Sequence, residues 1–293
     1  MTPAERSPTV RRRRLAKQLA DLREHAALSV KDVARQLEWA ESTVYRIESA
    51  RRGVKPGDVL LLLDLFTRTG KVVITDEQRE ELLRLAREAR KRGWWQTYSG
   101  AVPEPFVVYI GLEAEVSTLR AYGCELVPGL LQTEEYAREV RRASVPTPDP
   151  AQTDRWLAVR AARQRRLVEE DPILLWAVLN EGVLRRAMGG PAAMARQLAR
   201  LVEAAELPNV TVQVLPFSAG AHPAVDAPFM ILGFPERTDP DVVYVEHMTQ
   251  ALYIETPSEV DAFALAFDHL RARALDPDES VARIMSIMED HRD

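Results

Sequence analysis

The stretch ESTVYRIESARR, residues 41–52, gathers side chains able to read and hold an anionic polymer. On a helix beginning at Glu41, the outward positions of the first turns are Glu41, Ser42, Thr43, Tyr45 and Arg46. Arg46 can take a guanine bidentately, and Glu41 can accept from cytosine N4. Thr43 and Tyr45 suit phosphate or thymine-methyl contact. Arg51 and Arg52 follow the helix and can neutralise phosphates, as can Lys31 and the run Arg11 to Arg14.

Other residues offer other chemistry. Glu181, His222, Asp226, Glu246 and His247 are the candidates for catalysis or metal binding. Glu246 and His247 are adjacent, so on a strand they point to opposite faces. His222 lies in a loop, SAGAHPAVD. The sequence has no HExxH, paired CxxC, GxSxG or phosphate-cradling glycine loop. The reading is therefore a non-enzyme with no catalytic residue, no metal and no cofactor. Glu181 follows an apolar strand and heads a helix. Its carboxylate can favour the helix N-terminus, or it can line a cleft, because strand ends gather ligand groups. Glu181, His222 and Glu246 together are the candidate effector pocket. The run RAARQRRL, 160–167, reads as a solvated helix face with interhelix ion pairs, or else as a surface for an acidic partner. Cys124, the one cysteine, cannot form an internal disulfide. That fits a reducing cytoplasm, with the thiol as a small buried apolar group.

The elements that must position these residues fall into two regions. At 293 residues the chain exceeds one ordinary domain. No apolar run approaches the roughly 18–20 residues of a membrane span, and the basic N-terminus lacks the apolar core of a secretory signal. The net charge of −5 hides an asymmetry: residues 1–68 carry +5 and the remainder −10. A basic first region on an acidic body implies an anionic partner for the first region.

A basic helix is expected at 9–26, with Leu15, Leu19 and Leu22 inward and Arg11 to Arg14 outward. Ser29 and Asp32 form a capping box for a second helix, with Val33, Ala34 and Leu37 inward. Glu38 to Ala40 make the break before the helix at 41–49, whose inner residues are Val44 and Ile47. Pro56 and Asp58 open a fourth. The short helices are marginal alone; packed steeply under their flanks, they hold the 41–49 helix outward at a size that fits the DNA major groove.

The spacing DVARQL then STVYRIESARRG resembles the helix-turn-helix of the XRE, or lambda-repressor-like, family. The resemblance implies a five-helix-type DNA-binding domain over 1–70. It places base reading on Glu41, Ser42 and Arg46, and a structural role on Glu48, the glutamate of RIE. The sequence departs from the family pattern at Glu38 and Ala50, where glycine is common, and at Val30, where glutamine is common. The first two departures imply strained backbone.

Thr75 and Gln78 form another capping box, and Leu82, Leu83, Leu85 and Ala86 follow, ending near Gly93. Residues 71–98 read as a helical connector, with Trp94 and Trp95 packing between domains. Residues 99–276 read as an α+β domain around one mixed sheet, and 277–293 as a tail. Within it, 106–122 reads as a helix, with a strand at 106–110 as the alternative, Thr133 and Asp149 as caps, and 173–180, 210–215 and three later runs as strands. TPSE, 256–259, reads as the cap of the last helix.

The segments YGCELVPGLLQTEEYAREV, LNEGVLRRAMGG, LPNVTVQVLPFSAGAHPA and PDVVYVEH, in that order, resemble the C-terminal effector domain of a large actinobacterial regulator family. The resemblance implies an antitoxin-like transcriptional regulator paired with a small protein encoded nearby. The combined reading is a cytoplasmic homodimer on double-stranded DNA, two reading helices about 34 Å apart, with a small partner protein or a small-molecule effector and no membrane association. The alternatives are an antitoxin-like protein acting chiefly by binding its partner, and a small-molecule-processing enzyme domain tethered to DNA.

Overall fold

The computed structural model describes residues 8–90, 102, 104–145, 149–225, 227–235, 239–248 and 250–291. Gly93, Trp94, Trp95 and Asp226 lie outside the described residues. The chain divides into two compact units, one built from Thr2–Gln96 and one from Thr97–Asp293.

The first unit is helical: α1 (Pro8–His25), α2 (Val30–Leu37), α3 (Glu41–Glu48), α4 (Pro56–Arg68) and α5 (Asp76–Glu88). Both capping boxes form. Ser29 accepts from the Asp32 amide while Asp32 accepts from the Ser29 amide, and Thr75 and Gln78 do the same. One core joins Leu15 and Leu19 of α1, Val33 and Ala34 of α2, Val44 and Ile47 of α3, and Val59, Leu62, Leu63 and Phe66 of α4. Leu82, Leu83, Leu85 and Ala86 of α5 are buried in that same core. The segment expected as a connector thus supplies the fifth helix of this unit, because its apolar stripe is covered by α1 and α4. Arg11 also departs from expectation. It is 4% exposed and pairs with Glu88 of α5 at 3.1 Å, so it is not on the outer face.

The second unit contains α6 (Glu104–Glu113), β1 (Thr118–Gly123), α7 (Glu134–Ser144), α8 (Pro150–Gln164), β2 (Leu174–Asn180), α9 (Glu181–Arg185) and α10 (Pro191–Ala205). After these come β3 (Val210–Leu215), β4 (Phe229–Gly233), β5 (Val242–Glu246), β6 (Ala251–Ile254), α11 (Pro257–Arg273) and α12 (Pro277–Asp290). The sheet order is β3-β2-β1-β4-β5-β6. β1, β2 and β3 are parallel, and β4 runs antiparallel to β1 and β5, so the sheet is mixed. α11 covers one face through Phe267 and Leu270, which pack with Tyr122, Val178, Phe229 and Val243. On the other face, Tyr109 of α6 stacks against Tyr244 at 4.5 Å between ring centres.

Three expectations fail here. The helix read over 106–122 stops at Glu113, and Thr118–Gly123 is a strand between β2 and β4. Leu119 and Ala121, fully buried, alternate with half-buried Arg120, a period of two that the helical reading passed over. Thr256 makes no side-chain cap on α11. Residues 277–293, read as a tail, contain α12 instead. Asp276 caps it by accepting from the Glu279 amide at 2.8 Å, and Ile284 and Ile287 are buried. α12 packs on α10 and closes the β3 edge of the sheet: the Val214 amide donates to Ser280 Oγ at 2.9 Å.

Candidate nucleic-acid interface

α3 is an eight-residue helix with Val44 and Ile47 buried beneath it. Its other side is open: Glu41, Ser42 and Arg46 are exposed, Thr43 is half-buried, and Tyr45 is 58% exposed. The geometry brings together all five positions expected to face a partner. Arg46 Nε donates to its own Ser42 carbonyl at 3.1 Å, so the guanidinium lies back along α3. Arg51 and Arg52, in the bend after α3, and Lys31, in the first turn of α2, are also exposed. Among the described residues, no carboxylate lies within ion-pair range of Lys31, Arg46, Arg51 or Arg52. Neighbouring Arg23 and Arg35 do have such partners, Glu48 and Asp32.

The supports of α3 explain its position. Glu38 caps the C-terminus of α2 in the left-handed region at φ 55°, and Ala50 follows α3 at φ 56°. These are the two places where the sequence lacks a common glycine, and both backbones carry the strain that the departures imply; Ala27, at φ 53°, is a third. A left-handed conformation costs a non-glycine residue about 1–2 kcal/mol, so packing holds these turns against local preference. Glu48 has the structural role expected. It accepts from Arg23 Nε at 2.7 Å and from Nη2 at 3.1 Å, while Arg23 Nη1 donates to the Leu28 carbonyl at 2.8 Å. Arg23 therefore ties α1, the turn before α2 and the end of α3 into one block, and the bond to Glu48 holds its guanidinium above its ordinary pKa. Sequence spacing gave no signal for Arg23, because the pair is 25 residues apart.

Of the Arg11–Arg14 run, Arg12 reaches the loop after α3. A Cβ built on Gly53 would sit 3.8 Å from Arg12 Nε. That nitrogen is buried without a partner, and burial pushes the guanidinium pKa down.

The candidate effector pocket does not form as one site. Glu181 is 4% exposed and takes Arg185 at 2.8 Å, Arg283 at 3.5 Å and the Phe217 amide at 3.2 Å. Burial works against its charge, but these bonds hold its carboxyl below the usual range. It joins α9, α12 and the turn after β3. His222 meets Tyr122 on the α11 face, Nε2 to the hydroxyl at 3.3 Å. Glu246 alternates with Val245, which packs on that face, and so points to the opposite side with Tyr244. Opposite faces of one sheet cannot line one cavity. The run 160–167 is corrected in part: an interhelix ion pair forms as expected, but Arg160 and Arg163 are 9% and 4% exposed and lie on no solvated face. Arg163 donates twice to Glu113, at 2.6 and 2.7 Å, inside the protein.

A short helix projecting from a five-helix core, with a basic outer edge, is the arrangement of a helix-turn-helix domain. Residues 14–73 match a family described as a helix-turn-helix domain, and the first unit is one of XRE-like kind. Residues 106–286, more than half of the chain, match the family described as a domain of unknown function, DUF5753, and the chain belongs to that family. No curated protein and no solved structure matches it. No helix among the described residues is long and apolar enough to cross a membrane.

Proposed function

We propose that this protein is a sequence-specific DNA-binding transcriptional regulator whose C-terminal domain receives a signal. The observation that carries the reading is the outer edge of α3 and the bend after it, where Arg46, Arg51 and Arg52 are exposed and, among the described residues, without carboxylate partners. In the proposed complex Arg46 leaves the Ser42 carbonyl and reads a guanine, with Glu41 and Ser42 beside it on base edges. Lys31, Thr43, Tyr45, Arg51 and Arg52 position the domain on phosphates. A homodimer sets two such helices a DNA turn apart, in the cytoplasm, and the second domain shifts their relative placement when its partner protein or small-molecule effector binds. We assign no catalytic step to either domain.

A salt titration of binding to DNA from upstream of the protein's own gene tests this. Neutralising several phosphates makes affinity fall steeply with salt, log K falling by roughly 0.9 for each phosphate contact per log unit of salt. A flat dependence, or no binding at low salt, contradicts the proposal.

A further inference from the structure

Two arginines of the second unit stand apart from the ion pairs around them. Arg160, on α8, is 9% exposed, and its guanidinium carbon lies 4.1 Å from the centre of the Trp156 ring. Arg141, on α7, approaches the same indole at 5.7 Å. The partners of both are amides: Arg160 Nη1 donates to Gln132 Oε1, and Arg141 Nη2 donates to Gln152 Oε1 at 3.3 Å. The Nε of each is buried and unpartnered. Among the described residues no carboxylate lies within ion-pair range of either. Glu113, one of the two acids that act on Arg160, is taken up by Arg163 and by the Tyr109 hydroxyl.

Two guanidinia around one indole, with no anion in ion-pair range among the described residues, are electrostatically incomplete. Burial, and then repulsion from Arg163, bring Arg160 down to a pKa of about 9, so it stays charged at neutral pH, with Glu113 and Glu246 acting on it only from beyond ion-pair range. Glu246, on β5, is near enough to influence Arg160 and Arg163 but forms no ion pair with either. It is exposed to solvent, and partial desolvation pushes its carboxyl up. Gly129 completes the surround. A Cβ there would lie 3.5 Å from Arg160 Nη1 and from Arg163 Nη2, so the backbone comes close to both guanidinia.

We infer that Arg160 and Arg141, held around Trp156, form a binding site for a small oxyanion, a carboxylate or phosphate group of a diffusible ligand. A planar guanidinium fork matches both groups bidentately, and an arginine seated on an aromatic face loses little freedom on binding. As the receiver of the regulatory signal, the site rests on the proposed function. As a binding site it does not, and its test reads binding alone.

The test is thermal unfolding of the full chain in inorganic phosphate, in acetate and in chloride, at equal ionic strength. At a hundredfold excess over Kd, a filled site raises the midpoint by roughly 5 °C relative to chloride. A response to phosphate alone or to acetate alone tells which group the ligand carries. Arg160→Met keeps the apolar stem on Trp156 and abolishes the response, and so does Arg141→Met, whose less buried position spares the fold. Arg138→Met, removing an exposed arginine paired with Glu134 and Asp154, leaves the response intact. No shift in either oxyanion overturns the inference, as would an undiminished shift in Arg141→Met; the first result is also the one expected if an acidic side chain of a partner protein fills the site.

Discussion

Removing the Glu48 carboxylate should loosen α3 before it loosens anything else in the first unit. The Arg23 and Glu48 side chains are 12% and 14% exposed, and two bonds of 2.7 and 3.1 Å join them. Glu48→Ala leaves Arg23 charged, mostly desolvated, and held only by the Leu28 carbonyl and a weak contact to exposed Glu24. Breaking a fully buried pair costs about 3–5 kcal/mol, and a charge-assisted hydrogen bond contributes about 1.5–3. With the residual exposure of this pair the expected cost is about 2–3 kcal/mol. Hydrogen exchange at the Val44 and Ile47 amides reads it directly, as a roughly 30- to 140-fold faster opening. Arg23→Met in the Glu48→Ala background should restore part of the loss, giving a coupling of at least about 1 kcal/mol in the double-mutant cycle. A Glu48→Ala cost below about 0.5 kcal/mol, or strictly additive single costs, would refute the claim that this pair holds the helix.

Glu38→Gly and Ala50→Gly should each stabilise the first unit by about 0.5 kcal/mol, relief of left-handed strain exceeding the added chain entropy; a lower melting midpoint for both would count against strain at those turns. Ser280→Ala leaves the Val214 amide buried without a partner and should cost about 1–3 kcal/mol in denaturant unfolding of the second unit. Asp32 should make α2 sensitive to acid. Bonds from Ser29 hold its carboxyl below the ordinary 3.8, so its contribution is complete above that value and is lost as pH falls through the lower folded value. Exchange of the first-turn amides of α2 should therefore quicken only below about pH 4, and Asp32→Asn should abolish that acid step.

The first unit was legible because its signals are local. Ser29 with Asp32, Thr75 with Gln78, and the stripe of Val33, Ala34, Val44 and Ile47 all lie within a few residues of what they determine. The strained turns could be read too, since Glu38 and Ala50 occupy places that call for glycine. What escaped depends on contacts far along the chain. Arg11 reads as surface until Glu88 of α5 covers it, and Arg160 and Arg163 read as a solvated face until Glu113 and Trp156 enclose them. β1 has a local signal in the alternation of Leu119 and Ala121 with Arg120, but that run is short, and what makes Thr118–Gly123 a strand is pairing with β2 and β4, more than fifty residues away. The three-residue effector pocket failed because sequence placed Glu181 after a strand, His222 in a loop and Glu246 on a strand, and could not say which face of the sheet each would take.

The central claim is that α3 reads bases with Arg46 while the arginines behind it only grip phosphates. It is tested most directly by selecting the preferred DNA site of the intact protein from a random pool, then measuring the binding of Arg46→Ala and Arg51→Ala to that site and to unrelated DNA. Arg46→Ala should lose about 1–3 kcal/mol on the preferred site alone, while Arg51→Ala should weaken both DNAs alike and flatten the salt dependence by about one phosphate contact. Equal losses on both DNAs for Arg46→Ala, or none, would contradict the account.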